Sequence, residues 1–324
     1  MASTTPTYFG AGDRSVGQPP SGAERAFHRG FSWLAMAAAA GIVLLVAAMV
    51  WEITRQAIPA MMTQGAGFLV RDVWDSANTN FGILPEIWGT LYSSLLALFI
   101  GGFFGVTIAI FLTQEFLPIR IAAVFRTIVE MLAAIPSVVY GLWGIFVVIP
   151  LLRPAANWLH ETLGWIPFFG TSLSGPGLFP AALVLAIMIL PTVAAISQDA
   201  LHQVPYKVKE AAYGMGTTRW EAILKVLVPT ASGGIFSGLV LGFGRALGET
   251  MALAMLIGNA NQISLSLFAP ANTLASLMAS NFPEAGTVER QALMYAGLAL
   301  LAVTLTVNVI GSYLRSRTER QDQS

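Results

Sequence analysis

The sequence predicts an all-α, polytopic membrane protein, and two observations support this fold class. Hydrophobic residues make up 55% of the 324 residues and charged residues 10%, whereas soluble domains carry about 25% charged residues. Six stretches are also apolar and long enough to cross a bilayer, which takes roughly 20 helical residues. With so few charges the chain cannot cover a soluble surface, so a soluble globular protein and a disordered one are both excluded.

Other functional classes are excluded by residues that the sequence lacks. The 17 basic and 17 acidic residues cancel and no basic stripe exists, so we expect no nucleic-acid partner. The absence of cysteine excludes disulfides, thiolate metal sites and cysteine nucleophiles. The three histidines, His28, His160 and His202, are scattered and form no metal-binding pair. We therefore expect no catalytic residue, and no metal or cofactor bound by this chain.

The six predicted transmembrane helices cover residues 31–53, 86–113, 120–152, 178–201, 231–258 and 290–314. The first is predicted to be a retained anchor rather than a signal peptide, because no small-x-small cleavage site follows it. The third is too long for one straight helix and contains Pro136, which lacks a backbone donor, so we predict a kink there. Two shorter segments are the alternative, but they would give an odd number of crossings.

The remaining segments complete the domain organisation. Residues 1–30 are rich in Gly, Pro, Ser and Thr and are predicted to form a disordered cytoplasmic tail. The anchor helix 31–53 precedes a core with five transmembrane helices over residues 85–315, and a second cytoplasmic tail covers 316–324. Most Lys and Arg residues between the spans fall on one side if the N-terminus is inside, so both termini are predicted to face the cytoplasm.

The polar loop 203–229 is predicted to form two short helices rather than a flexible connector. Pro205 suits the first turn of a helix, and Gly216 is typical of a helix end. Thr218 and Glu221 have the spacing of a capping box at the start of a second helix. A rigid helix pair between two spans is suited to docking another protein; an ordinary amphipathic interfacial segment is the alternative.

The same loop resembles the EAA loop of ABC importer permeases, whose pattern is EAA-x3-G-x9-I-x-L-P. The residues that match at full spacing are Glu210, Ala211, Ala212, Gly216 and Pro229. The resemblance implies a type I ABC importer permease fold and a loop that couples the membrane helices to a cytoplasmic ATPase. Because this chain has no GxxxxGK[ST] motif, the ATPase that uses ATP is implied to be a separate chain.

The fifth span carries two charges in an otherwise apolar segment. Arg245 and Glu249 are four residues apart, so they are predicted to share one helix face, together with Gly234, Gly238 and Gly242. In one interpretation the glycines allow close helix packing and the charges form a structural ion pair. In the other the glycines leave room along a pathway and Arg245 faces a passing anion. We favour glycines for packing and Arg245 for the substrate, because ionisable residues inside a membrane are usually functional.

A second charged pair and two hydroxyls are weaker candidates. Arg126 and Glu130 are also four residues apart, near the inner end of the third span, where snorkelling or a structural pair is favoured over a substrate role. Ser137 and Tyr140 follow the predicted kink. Their hydroxyls are predicted either to face the substrate pathway or to form hydrogen bonds between helices.

Two motifs narrow the resemblance. Residues 244–250, GRALGET, are similar to the RAxGET signature of phosphate importer permeases, and residues 135–141, IPSVVYG, are similar to their PSVVYG segment. The long outer loop after the third span is similar to that of PstC-type subunits of this family. The resemblance implies that Arg245 and Glu249 are its transport-critical charged pair.

The resemblance also implies a function and a set of partners. The function is the transmembrane subunit of an ATP-driven importer for inorganic phosphate in the bacterial cytoplasmic membrane. The implied partners are a second permease subunit (PstA type), two ATPase subunits (PstB type) and an extracytoplasmic phosphate-binding protein (PstS type), besides membrane lipid. The alternatives are an ABC permease for another oxyanion, such as sulfate or molybdate, and an ion-coupled secondary transporter. The latter is disfavoured because no inverted repeat is visible.

Overall fold

The computed structural model describes residues 22–114 and 116–321, without the side chains of residue 24 and of residues 314–321. The described chain is almost entirely helical and divides into two compact units, Met1–Glu52 and Ile53–Ser324. Of the described helices, five are long and apolar enough to cross a membrane, and the number is six if the bent pair Arg219–Thr230 and Ser232–Leu247 is taken as one span. The prediction of an all-α chain with six transmembrane helices is therefore confirmed.

The first unit consists of the N-terminal part of helix α1, which runs over Gly22–Gln64. The prediction of a disordered tail over residues 1–30 is wrong from residue 22 onward, where the chain is helical. Residues 1–21 lie outside the described residues. The reason is that Gly, Pro and Ser are concentrated before residue 22, whereas the next residues include Ala, Glu and Arg, which favour helix. The described side chains of this part are largely apolar and exposed, as lipid-facing side chains are.

The second unit begins with the rest of α1, which extends past the predicted end of the first span at residue 53. A 3₁₀ turn over Gly65–Leu69 and a short antiparallel hairpin follow, with β1 at Trp74–Asp75 and β2 at Asn80–Phe81. The Asp75 carboxylate accepts hydrogen bonds from the backbone of Ala77 and Asn78, which closes the turn. The connection between α1 and the next helix is therefore structured.

Helices α2 (Leu84–Thr113) and α6 (Leu178–His202) form the most extensively packed pair of the second unit. Glycines on α2 allow this contact, because a Cβ at Gly101 would lie 2.6 Å from the carbonyl oxygen of Ala186. The largest buried apolar cluster surrounds this pair and includes Leu185, Ile189 and Leu256. Most of α6 is thereby enclosed, which makes it the central helix of this unit.

The third predicted span is interrupted rather than kinked. The chain forms α3 (Ile119–Ala134), then α4 (Ser137–Trp143), a π-helical turn (Gly144–Val148) and α5 (Ile149–Leu163). Ile135 and Pro136 between α3 and α4 are extended, because a proline disfavours helical backbone at the preceding residue. The single kinked helix over 120–152 is therefore wrong. Of these pieces, only Ser137–Leu163 is long enough to span a membrane. The break therefore adds no extra crossing, and the number of crossings does not become odd.

The loop 203–229 forms the predicted helix pair. Helix α7 covers Tyr206–Gly214; α8 (Arg219–Ala222) continues through a π-helical turn (Ile223–Leu227) into α9 (Val228–Thr230). Gly216, between α7 and α8, has a φ of +81°, which glycine adopts without strain. The second helix ends at Thr230, one residue past Pro229, and the chain then bends by 70°.

The fifth span is interrupted as well, and the last helix is longer than predicted. The predicted span 231–258 is divided into α10 (Ser232–Leu247) and α11 (Met251–Leu256). Helix α12 (Leu274–Asn281) lies between α11 and the last helix, α13, which covers Thr287–Gln321. The predicted tail over 316–324 is therefore helical up to Gln321, because Arg and Glu in this segment favour helix.

Candidate functional site

The glycine stripe of α10 packs against α6. A Cβ at Gly242 would lie 2.7 Å from Cγ2 of Val193, and a Cβ at Gly238 would lie 3.2 Å from Cβ of Ile196. A Cβ at Gly234 would overlap the side chain of Ala200 in the same way. The three glycines thus let two helix backbones approach closely, which confirms the packing interpretation for this stripe.

Arg245 lies on the same face, in the last turn of α10. Its Nη1 donates a hydrogen bond to Oγ1 of Thr192 on α6, over 3.2 Å, and the side chain is otherwise exposed. Sequence reasoning missed Thr192. No local signal could have found it, because Thr192 lies in another helix and its sequence context is apolar. The hydrogen bond orients a guanidinium whose other donors remain free, within the described residues, to bind an anion.

Glu249 does not share a helix face with Arg245, and this prediction is wrong. Helix α10 ends at Leu247, because the following Gly248 has low helix propensity. The Glu249 carboxylate instead accepts a hydrogen bond of 3.3 Å from the backbone nitrogen of Ala252, in the first turn of α11. Within the described residues Arg245 and Glu249 form no ion pair. Both stand at the same interruption of the span.

The two predicted hydroxyls have different environments. The Tyr140 hydroxyl donates to the carbonyl oxygen of Leu132, over 2.9 Å, and so connects α4 to the end of α3. This contact agrees with the alternative of a hydrogen bond between helices. Ser137 begins α4, is half-buried, and its hydroxyl has no hydrogen-bond partner in the described part of the chain.

The helix pair over 203–229 is held rigid by its caps. Glu221 Oε2 accepts from the backbone nitrogen of Thr218 over 3.0 Å, and the Thr218 hydroxyl accepts from the Glu221 backbone, which is the predicted capping box. Lys225 lies 3.1 Å from the Glu221 carboxylate. The hydrogen bonds from Thr218, together with Lys225, lower the pKa of Glu221, so this cap stays ionised at neutral pH.

The residues of the EAA pattern divide into exposed and buried positions. Glu210, Ala211, Gly216 and Pro229 are exposed, whereas Ala212 is buried and its carbonyl oxygen accepts from the Thr217 hydroxyl over 2.8 Å. An open apolar groove lies between the two helices and is lined by Lys207, Val208, Ala211, Ala212, Met215 and Val226. Such an exposed apolar surface on a rigid helix pair fits protein docking.

Arg219 ties the helix pair to the connection between α2 and α3, and sequence reasoning missed this role. Its guanidinium donates to the carbonyl oxygen of Gln114, just past the end of α2. The same group lies 4.1 Å from the ring centroid of Phe116, and the ring of Trp220 lies 5.0 Å from that ring. The helix pair is therefore mechanically connected to α2 as well as to α10.

Comparisons with known proteins agree with this arrangement. The family described as "Binding-protein-dependent transport system inner membrane component" matches residues 101–320. The phosphate transport system permease protein PstC of Pasteurella multocida (strain Pm70) is 41% identical over 289 residues, which cover 87% of this chain and 89% of that protein. The PstC protein of Haemophilus influenzae is 39% identical, with 86% and 90% covered.

A solved structure agrees at the level of fold. A bacterial alginate ABC transporter, in complex with a periplasmic protein that holds an alginate pentasaccharide, contains a chain similar to this one with a TM-score of 0.63. The identity is 16%, over 89% of this chain and 96% of that chain. The relatives are transport permease subunits rather than enzymes. The chain therefore belongs to the binding-protein-dependent transport system inner membrane components and, within them, to the PstC family of permease proteins.

Proposed function

We propose that this chain is the transmembrane subunit of an ATP-driven importer for inorganic phosphate, with both termini on the cytoplasmic side of the inner membrane. One observation carries the proposal: an exposed guanidinium, Arg245, is oriented by Thr192 at the break between α10 and α11, inside the predicted fifth span. A desolvated cation at such a place is costly unless an anion or water compensates it. The phosphate transport proteins among the relatives support phosphate as that anion.

The proposal includes four kinds of partner. A second permease subunit (PstA type) forms the path together with this chain, and a phosphate-binding protein (PstS type) delivers the anion from outside. The two permease subunits together sit on two ATPase subunits (PstB type), which use ATP that this chain does not bind, and the helix pair over 203–229 is this chain's docking element. The exposed Glu210 and Ala211 and the groove beside them are the proposed contact. Arg219 then passes the motion of this pair to α2.

The anion is proposed to be recognised by a cation and a carboxylate together. Arg245 binds the oxygens of phosphate through several donors. Phosphate at neutral pH still carries a proton, so it also donates a hydrogen bond to the Glu249 carboxylate, whereas sulfate carries none and is repelled. Ser137 and Tyr140 are proposed to lie along the same path: the Ser137 hydroxyl faces the anion, and the Tyr140 hydroxyl, which donates to the Leu132 carbonyl, positions α4 beside it. The phosphate is not changed chemically.

Uptake by the purified complex tests the proposal. The complex is reconstituted in liposomes with the binding protein outside, and labelled phosphate uptake is measured with and without ATP inside, alone and with excess sulfate. We expect uptake that requires ATP and resists sulfate. Uptake without ATP would contradict ATP coupling, and ATP-dependent uptake of sulfate alone would contradict the substrate.

The role of Glu249 has its own test. Glu249→Gln keeps the shape of the side chain but replaces the charged acceptor by a neutral amide that also donates. We expect sulfate to become a competitor of phosphate uptake in this variant, because the repulsion is gone. An unchanged preference for phosphate over sulfate would show that Glu249 does not set the selectivity. Glu289→Gln, near the start of α13 and away from this interruption, is the matched control.

A further inference from the structure

Thr192, the partner of Arg245, also lines a cavity of about 400 Å³ between α3 and α6. Four ionisable side chains line the same cavity: Arg126, Glu130, Asp199 and His202. None of the four forms a side-chain hydrogen bond or an ion pair with the residues that the structure describes. The cavity therefore contains charged groups without an internal structural partner, next to the proposed phosphate-binding arginine.

Snorkelling or a structural pair was predicted for Arg126 and Glu130, and of these two alternatives the ion pair is absent in the described structure. Both side chains are exposed and both line the cavity, four residues apart on α3. This combination of a guanidinium and a carboxylate repeats the chemistry of Arg245 and Glu249. A site of this composition binds an anion that can also donate a hydrogen bond.

The cavity leads away from Arg245 along α6. A second cavity of about 900 Å³ adjoins the ends of α2 and α6 and the start of α7, and Arg126 and His202 line both cavities. From Thr192 to His202 the path follows α6 for about 15 Å, at 1.5 Å per residue. Lys209 on α7 lines the larger cavity as well. Basic side chains thus follow one another from the interruption of the fifth span to the helix pair.

We propose that Arg126 and Glu130 form a second binding position for inorganic phosphate, in the cavity between α3 and α6, which the anion occupies after it leaves Arg245 and before it reaches the cytoplasm. This inference rests on the proposed function, because it takes the anion at Arg245 to be phosphate. Binding at a second position lets the anion leave the first without entering an uncompensated apolar segment.

The carboxylates that line the cavity distinguish between two possible ligands that carry a phosphate group, a phospholipid headgroup and free inorganic phosphate. A phospholipid headgroup presents a phosphodiester, which carries a negative charge but no hydroxyl on phosphorus. Free phosphate retains a proton at neutral pH and donates it in a hydrogen bond to Glu130 or Asp199. Two carboxylates in one lining therefore favour the free anion and oppose the lipid.

The absence of cysteine allows a direct test by labelling. Ala133 lines the smaller cavity and is exposed, so Ala133→Cys places a single thiol there. The complex is purified in detergent, and modification of this chain by a negatively charged methanethiosulfonate is followed by mass spectrometry. Rates are measured without anion, with inorganic phosphate, with sulfate and with phosphatidylglycerol, and each rate is compared with that of the same variant without anion.

We expect phosphate to slow the modification and sulfate to have little effect. With Arg126→Gln added, the protecting concentration of phosphate should rise by about tenfold or more, as on loss of a hydrogen bond to a charged group. With Glu130→Gln added, sulfate should protect as phosphate does. Arg120→Gln is the matched control, because it removes the same charge from α3 at a position that lines neither cavity.

Besides a complete absence of protection, three results would overturn the inference. The first is equal protection in the variants with and without Arg126→Gln, and the second is a loss of protection that Arg120→Gln reproduces. The third is protection by phosphatidylglycerol but not by phosphate, which would assign the cavity to a lipid headgroup. Labelling needs neither ATP nor transport. Protection in a complex that imports no phosphate would thus refute the proposed function alone, and uptake without protection would refute only this inference.

Discussion

At the scale of single residues, one hydrogen bond defines the candidate site. The sequence predicts Arg245 as the substrate residue, and the structure shows how its guanidinium is held, by Thr192 over 3.2 Å. That partner was not predictable, because Thr192 lies in another helix and its sequence context is apolar. The prediction for Glu249 was wrong for a local reason. It assumed that the helix continues from Arg245 to Glu249, but helix α10 ends before Gly248, so the four-residue spacing no longer places both side chains on one face.

Thr192→Val tests this hydrogen bond. The substitution keeps the shape of the side chain and removes the acceptor, so Arg245 loses its orientation. We expect phosphate uptake to fall by several-fold, equivalent to about 1 kcal/mol, while the complex stays assembled. Thr107→Val is the matched control, because the Thr107 hydroxyl bonds only within α2, to the carbonyl oxygen of Phe103. An equal loss in both variants would show that Thr192 acts through general stability.

At the scale of elements, the lengths of the apolar segments predict which segments span the membrane, but they do not predict where the helices are interrupted. The periodicity and the glycine stripe of the fifth span correctly predict its packing against a neighbour. The breaks at Pro136 and Gly248 depend on single residues whose effect ranges from a kink to a complete helix end. The contacts around them decide between the two, such as the Tyr140 hydroxyl on the Leu132 carbonyl. This contact joins two positions that are eight residues apart, on either side of the break, and the sequence carries no signal for it.

The close packing of α10 on α6 gives a stability prediction. In Gly242→Ala the new methyl would lie 2.7 Å from Cγ2 of Val193, so one helix must shift. We expect a loss of about 1–3 kcal/mol, as for overpacked cores, seen as a lower melting temperature of the detergent-solubilised complex. The additional substitution Val193→Ala should restore part of the lost stability. Gly41→Ala, where the structure leaves open space, should change little; an equal change there would contradict the packing argument.

The contact between the helix pair and α2 gives a prediction about coupling. Arg219→Ala removes both the hydrogen bond to the Gln114 carbonyl and the stacking on Phe116. We expect the phosphate imported per ATP hydrolysed to fall by about threefold or more, because a contact of about 1 kcal/mol no longer transmits the motion. Lys225→Ala, on the same helix segment but in a surface ion pair, is the control and should leave the ratio unchanged. An unchanged ratio in Arg219→Ala would exclude this route of coupling.

At the scale of the whole molecule, composition and apolar lengths are enough to predict a polytopic all-α membrane protein. The EAA pattern and the RAxGET-like motif are enough to predict the family. The proposed path was not predictable from one sequence, since it lies along α6, on which α3 and α10 both pack, and so depends on long-range contacts. In the described structure the two candidate functional regions, the break at Arg245 and the helix pair over 203–229, lie at opposite ends of the same α10 helix.

The central claim is that Arg245 binds the transported anion while ATP drives its import. The most direct measurement is ATP-dependent phosphate uptake by the reconstituted complex with wild-type Arg245 and with Arg245→Gln, side by side with binding-protein-stimulated ATP hydrolysis. We predict that Arg245→Gln lowers uptake by about a hundredfold, as expected for a charge-assisted bidentate contact, in an assembled complex. Uptake by Arg245→Gln at the wild-type rate would contradict the account.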